Sequence, residues 1–142
     1  MNVYDLINLE ESDKEKMIQE AIKETKRNLP GLTDGLTCKI YSSYMTEQLR
    51  KRHVVNRKID TSDLNCPYSH VFNLVPIDEK EYFLIDITYS QFQNNDFEDL
   101  LKNGYTRVDN DRFNDYLEIT GKKNPQVSLD DAFMRIRKEK TL

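Results

Sequence analysis

The sequence predicts an α+β fold, with helices at both ends of the chain packed on a small antiparallel sheet built from its middle. Three features predict it. Apolar residues recur at helical spacing up to about Lys51 and again after Asp96. Between those stretches, His70 to Val75 and Tyr82 to Thr88 are runs rich in Val, Ile, Phe and Tyr. Pro76-Ile77-Asp78-Glu79-Lys80 separates the two runs and has the composition of a turn, so the runs are expected to pair as an antiparallel hairpin.

The first helix is expected to start near Ser12, which stands at capping-box spacing from Glu15. Met17, Ala21 and Ile22 give it an apolar stripe, and Pro30 and Gly31 end it. A second helix is expected from about Cys38 to Lys51, with Ile40, Tyr41, Tyr44, Met45 and Leu49 at helical spacing. Asp34, Gly35 and Thr37 precede it as loop and cap residues. His53-Val54-Val55 is expected as a short strand.

After the hairpin the chain returns to helix. Asp96 to Asn103 is expected as a short helix with Gly104 as its left-handed C-terminal residue. Asp109 to Ile119 is another, closed by Gly121, and Ser128 with Asp131 opens a last one through Phe133 and Ile136. Phe113, Tyr116, Leu117 and Phe133 read as core, and Tyr41, Tyr44, Tyr82 and Tyr89 as core or rim packing.

The chain has 142 residues, which suits a single domain over residues 1–142. A chain of this length buries roughly 68–70% of its extended surface, enough for a core without staples. Composition is that of an ordinary folded protein, with 37% hydrophobic and 32% charged residues and only 4 Gly and 4 Pro. Net charge is −4, and Lys and Arg are scattered, so no nucleic-acid partner is expected. No apolar run approaches the roughly 18 residues of a membrane span. Met1 to Glu11 carries acids and lacks a basic-then-apolar signal pattern. The cytoplasm is therefore the expected location, with leaderless export as the other route. Oligomeric state is left open.

Two cysteines, Cys38 and Cys66, are too few for a disulfide scaffold. Cys38 falls where the second helix begins. Unpaired N–H groups and the helix dipole there favour a thiolate, the form of cysteine that attacks carbonyl carbon. Of two histidines, His53 follows Lys51 and Arg52, cations that disfavour an imidazolium. His70 opens an apolar strand and is the better base. A turn centred on Asp78 would set Leu74 opposite Tyr82, Phe72 opposite Leu84 and His70 opposite Asp86. Asp86 interrupts the apolar run Tyr82 to Ile87 and needs a partner there, because an unpaired buried charge is costly. An imidazole that it holds in one tautomer would supply that partner.

Two rival assignments are weaker. Cys66 and His70 have metal-like spacing, but Cys38 and His53 do not complete a tetrahedral ligand set, so no metal is expected. Cys66 precedes Pro67 in a loop, away from any helix start, and is a poor nucleophile. Thr88 and Gln91 are expected to hold the corner beside Asp86 by hydrogen bonds.

Cys38 at a helix start, the Ser69-His70-Val71-Phe72 strand and the segment from Phe83 to Phe92 together resemble the papain/transglutaminase-like superfamily. The Asp86-x-Thr88-x-x-Gln91-Phe92 stretch is similar to segments of bacterial cysteine peptidase and glutamine-deamidase effectors of this type. The resemblance covers about residues 33–92. It implies a papain/transglutaminase-like core, and a catalytic triad of Cys38 as nucleophile, His70 as base and Asp86 as the orienting carboxylate. It also implies acyl transfer through a thioester on a protein or peptide substrate, without cofactor. Amide hydrolysis ranks first, as a protease or deamidase. Protein-glutamine transglutamination comes next, and a non-catalytic binding module on the same fold is the reading from a different class. The chain is short for this superfamily. The Cys38 N–H is one oxyanion donor, and Asn28 and Thr37 are the candidates for the second.

Overall fold

The computed structural model describes residues 10–29 and 37–134. Its centre is a strand apolar at nearly every position. β2 (Val71–Pro76) is buried along its whole length, as is its neighbour β3 (Tyr82–Ile85). A strand buried on both faces needs a layer on each side. The chain supplies these layers with five α-helices among the described residues: α1 (Glu11–Asn28), α2 (Thr37–Lys51), α3 (Glu98–Asn103), α4 (Asn110–Gly121) and α5 (Leu129–Met134).

The sheet is antiparallel and four-stranded, in the order β1-β2-β3-β4, with β1 at Arg57–Asp60 and β4 at Tyr105–Val108. Side chains alternate across it. Phe72, Leu74, Tyr82 and Leu84 join Phe113, Tyr116 and Leu117 of α4 in one core cluster. Val75, Phe83 and Ile85 join Ile18, Ala21 and Ile22 of α1 and Met45 and Leu49 of α2 in another. The one polar residue of β2, Asn73, is satisfied by the Ser42 carbonyl at 3.3 Å and Thr46 Oγ1 at 3.0 Å, both on α2.

The α+β class stands, and several expected boundaries move. α1 begins at Glu11 after Glu10, whose side chain makes no capping bond, so the Ser12–Glu15 capping box does not form the start. Pro30, Gly31, Asp34 and Gly35, together with Ile136, lie outside the described residues. Thr37 is the first residue of α2, not a preceding cap. His53-Val54-Val55 is not a strand. His53 takes a left-handed φ of 62° that ends the helical path, and Val54 turns into the core. The strand comes later, at Arg57–Asp60, and sequence reading misses it because only Ile59 is both apolar and buried.

β4 is a second strand absent from the sequence expectation. It follows Gly104, whose φ of 83° closes α3 as the sequence predicts. α4 runs through Gly121 to a left-handed Lys122, so Gly121 is the last helical residue and not the terminator. The Ser128 Oγ does accept the Asp131 N–H at the start of α5. Among the described residues, no helix is long and apolar enough to cross a membrane.

Candidate active site

The hairpin register decides whether His70 and Asp86 can meet. β2 and β3 pair Leu74 with Leu84 and Pro76 with Tyr82, two residues out of the expected register, so Asp86 is not directly opposite His70. The reason is the turn. It extends to Glu81, with the Ile77 and Asp78 N–H groups both on the Glu81 carbonyl, and is centred beyond Asp78. An even slip preserves the face on which each side chain lies. His70 and Asp86 therefore become diagonal neighbours on the α4 face, and the two side chains span the diagonal. His70 Nε2 donates to Asp86 Oδ2 at 2.8 Å.

Both partners are held from behind. The His70 N–H donates to Thr61 Oγ1 at 2.8 Å, and its carbonyl accepts from the Thr61 N–H at 2.9 Å. Thr61 starts a 3-10 turn (Thr61–Leu64) just after β1. Asp86 Oδ1 accepts the Thr88 N–H at 3.0 Å and the Thr88 hydroxyl at 2.9 Å, and Gln91 Nε2 in turn donates to Thr88 Oγ1 at 3.2 Å. Thr88 and Gln91 thus brace the corner in the manner expected. Asp86 Oδ2 accepts a further bond, from the Tyr116 hydroxyl of α4 at 2.7 Å. Both carboxylate oxygens therefore face two donors each.

Cys38 reaches this pair from the first turn of α2. The His70 side chain and the backbone of Val71 lie near enough to its thiol to act on its charge state. Because Nε2 is committed to Asp86, Nδ1 is the ring nitrogen left to serve the sulfur. Burial by itself pushes the thiol up. The His70 hydrogen bond, the Val71 backbone and the His70 charge outweigh burial and a smaller opposing push from Asp86, and hold the thiol below its ordinary 9.0. For His70, burial favours the neutral ring. The Asp86 charge and hydrogen bond, with Cys38 adding, reverse this and push it from 6.5 up to about 9. Both directions favour a thiolate–imidazolium pair.

Exposure is graded along the chain of contacts. His70 and Asp86 are buried, at 1% and 4%, whereas Cys38 is half-buried. Phe92 lies edge-on to the imidazole with ring centres 4.8 Å apart, shielding it. Phe92 ends a 3-10 turn (Tyr89–Phe92), closed by Gln93 in a left-handed conformation. A reagent approaching from solvent therefore meets sulfur first.

The remaining sequence candidates fall elsewhere. Cys66 is buried against Gly121, its thiol 3.7 Å from the Lys123 carbonyl, and burial pushes its pKa up. Both cysteines are free thiols. His53 stands exposed at the end of α2. The Asn28 amide is spent on the Glu24 carbonyl, the Glu24 carboxylate and the Tyr44 hydroxyl. Thr37 and Cys38 lie in the first described turn of α2. Sequence reasoning assigns Tyr116 to the core and misses its bond to Asp86. A Tyr in place of Phe in a buried stripe is the available signal, because a buried hydroxyl needs a partner. No family model matches this chain, and no curated protein or solved structure matches it either.

Proposed function

We propose that the protein is a thiol-dependent acyl-transfer enzyme on a papain/transglutaminase-like core, with Cys38 as nucleophile, His70 as acid and base and Asp86 as the orienting carboxylate. One observation carries the reading: a half-exposed thiol beside a buried imidazole that is itself hydrogen-bonded to a buried carboxylate. A structural cysteine has no need of a histidine held protonated beside it, whereas a nucleophile does.

The chemistry proceeds in two steps. The Cys38 thiolate adds to an amide carbonyl, forming an S–C bond. His70 Nδ1–H protonates the nitrogen as the C–N bond breaks, leaving a thioester. Neutral His70 then takes a proton from the acceptor, whose oxygen or nitrogen attacks the thioester and expels the thiolate. The oxyanion formed in each step is stabilised by the backbone N–H of Cys38. Water as acceptor gives hydrolysis of a protein or peptide amide, the favoured outcome. An amine acceptor on a glutamine substrate gives a transglutaminase. No cofactor is required by these steps.

The test is alkylation of the native protein with iodoacetamide at pH 6, followed by peptide mapping. Cys38 should label at least about 10-fold faster than Cys66, and at least about 10-fold faster in wild type than in His70→Ala. Slow, equal labelling of both thiols would leave a non-catalytic binding module as the better reading. Incubation with a protein mixture and mass spectrometry then separates cleavage, conversion of Gln to Glu, and crosslinks.

A further inference from the structure

We infer that Tyr116 is a positioning residue for His70, acting through Asp86 by donating its hydroxyl to the same carboxylate oxygen that receives the imidazole. The geometry is specific. Tyr116 OH lies 2.7 Å and His70 Nε2 2.8 Å from Asp86 Oδ2, while Thr88 occupies only Oδ1. Tyr116 is fully buried, and Asp86 is its hydrogen-bond partner. Burial, followed by the charge and hydrogen bond of Asp86, holds the phenol well above 10, so it stays a donor throughout the range in which His70 titrates.

Two donors on one oxygen divide its electron density. The Tyr116 O–H therefore weakens the hold of Asp86 on the imidazolium while fixing the carboxylate's rotation. A ring held too firmly protonated cannot take a proton from the second acceptor near neutral pH, so the hydroxyl moderates the base rather than merely filling the core. The groups facing this pair are Cys38 from α2, Tyr89 from the 3-10 turn and Tyr116 from α4. Asp96 and Arg112 act on Tyr89 from further out.

The test compares wild type, Tyr116→Phe and Tyr89→Phe by the pH titration of the His70 ring, followed by ¹⁵N NMR. Tyr116→Phe keeps the ring that packs against Phe72 and Phe97. It should raise the His70 midpoint by about half a pH unit or more. Tyr89→Phe is the control. Its hydroxyl points to Asn94 Oδ1 at 3.3 Å and its ring stacks on Tyr116, so its removal should leave the midpoint in place.

An unchanged or lowered midpoint in Tyr116→Phe, or an equal rise in both variants, would overturn the inference. In the wild type, the resonances of the Tyr116 ring should shift as His70 titrates, and a tyrosine indifferent to that titration would overturn it as well. These readouts do not depend on Cys38 acylating a substrate. A failed alkylation test with an upward midpoint shift would reject the enzyme and keep the role of Tyr116.

Discussion

Asp86 sets the charge state of everything around it. It is the source of the two largest influences that raise His70 against burial. Replacing it with Asn removes the charge and leaves burial, which favours the neutral ring. Only Cys38 then opposes burial, and the His70 midpoint should fall from about 9. Without an imidazolium, Cys38 loses its main support, and alkylation at pH 6 should slow by about 10- to 100-fold, the worth of one charge-assisted hydrogen bond. Labelling of Asp86→Asn at the wild-type rate would mean that the thiolate owes nothing to the carboxylate. The three triad candidates are legible in the sequence for a physical reason. Cys38 and His70 stand at the starts of elements, and a carboxylate inside an apolar strand demands a partner. The role of Tyr116 is not legible, because helical spacing assigns it to the core and says nothing about where its hydroxyl ends.

The hairpin shows how an element forgives one error and not another. Its turn is longer than the sequence suggests, and the pairing of β2 and β3 slips by two residues. An odd slip would have put His70 and Asp86 on opposite faces. The even one only converts a direct pair into a diagonal, because side chains repeat every second residue. β1 and β4 escape detection since each has four residues and exposed charges, Arg57 and Lys58 in one and Arg107 in the other. Strands so short are specified by neighbours, not by their own pattern. β1 nonetheless matters to the site, because it delivers Thr61 to the backbone of His70. The C-terminus of α4 presses on that same corner. A Cβ at Gly121 would lie 2.7 Å from both Cβ and Sγ of Cys66 and 3.1 Å from Cβ of Thr61. Gly121→Ala should therefore destabilise the protein by about 1–3 kcal/mol, the usual cost of overpacking. It should also slow Cys38 alkylation, since Thr61 holds the backbone of His70 and a shift of one carries to the other. Chemical denaturation and labelling at pH 6 measure the two effects. A variant as stable and as reactive as wild type would show that the corner has slack.

For the whole molecule, the pair of titrating groups makes stability depend on pH in a way that single variants can separate. His70 has a folded value raised from 6.5 to about 9. Between those limits the folded state binds more protons than the unfolded chain, so this contribution is complete below 6.5 and is lost as pH rises toward 9. Cys38 has a folded value below 9.0. It binds fewer protons folded than unfolded in the window just under 9, so its contribution is present above that window and is lost as pH falls through the folded value. The two slopes have opposite signs and overlap, so wild type shows only their difference. Cys38→Ser removes the rising part. It leaves the falling part in place, because Asp86 exceeds Cys38 among the influences that raise His70. Unfolding free energies from urea titrations at about pH 6.5, 7.5 and 8.5 should therefore decline more steeply in Cys38→Ser than in wild type. The added decline should vanish when Asp86→Asn is combined with it. Other titrating groups are common to all three proteins and cancel in the comparison. Parallel curves for wild type and Cys38→Ser would mean that thiol and imidazole titrate independently, and the coupling between them, on which the proposed chemistry depends, would have to be abandoned.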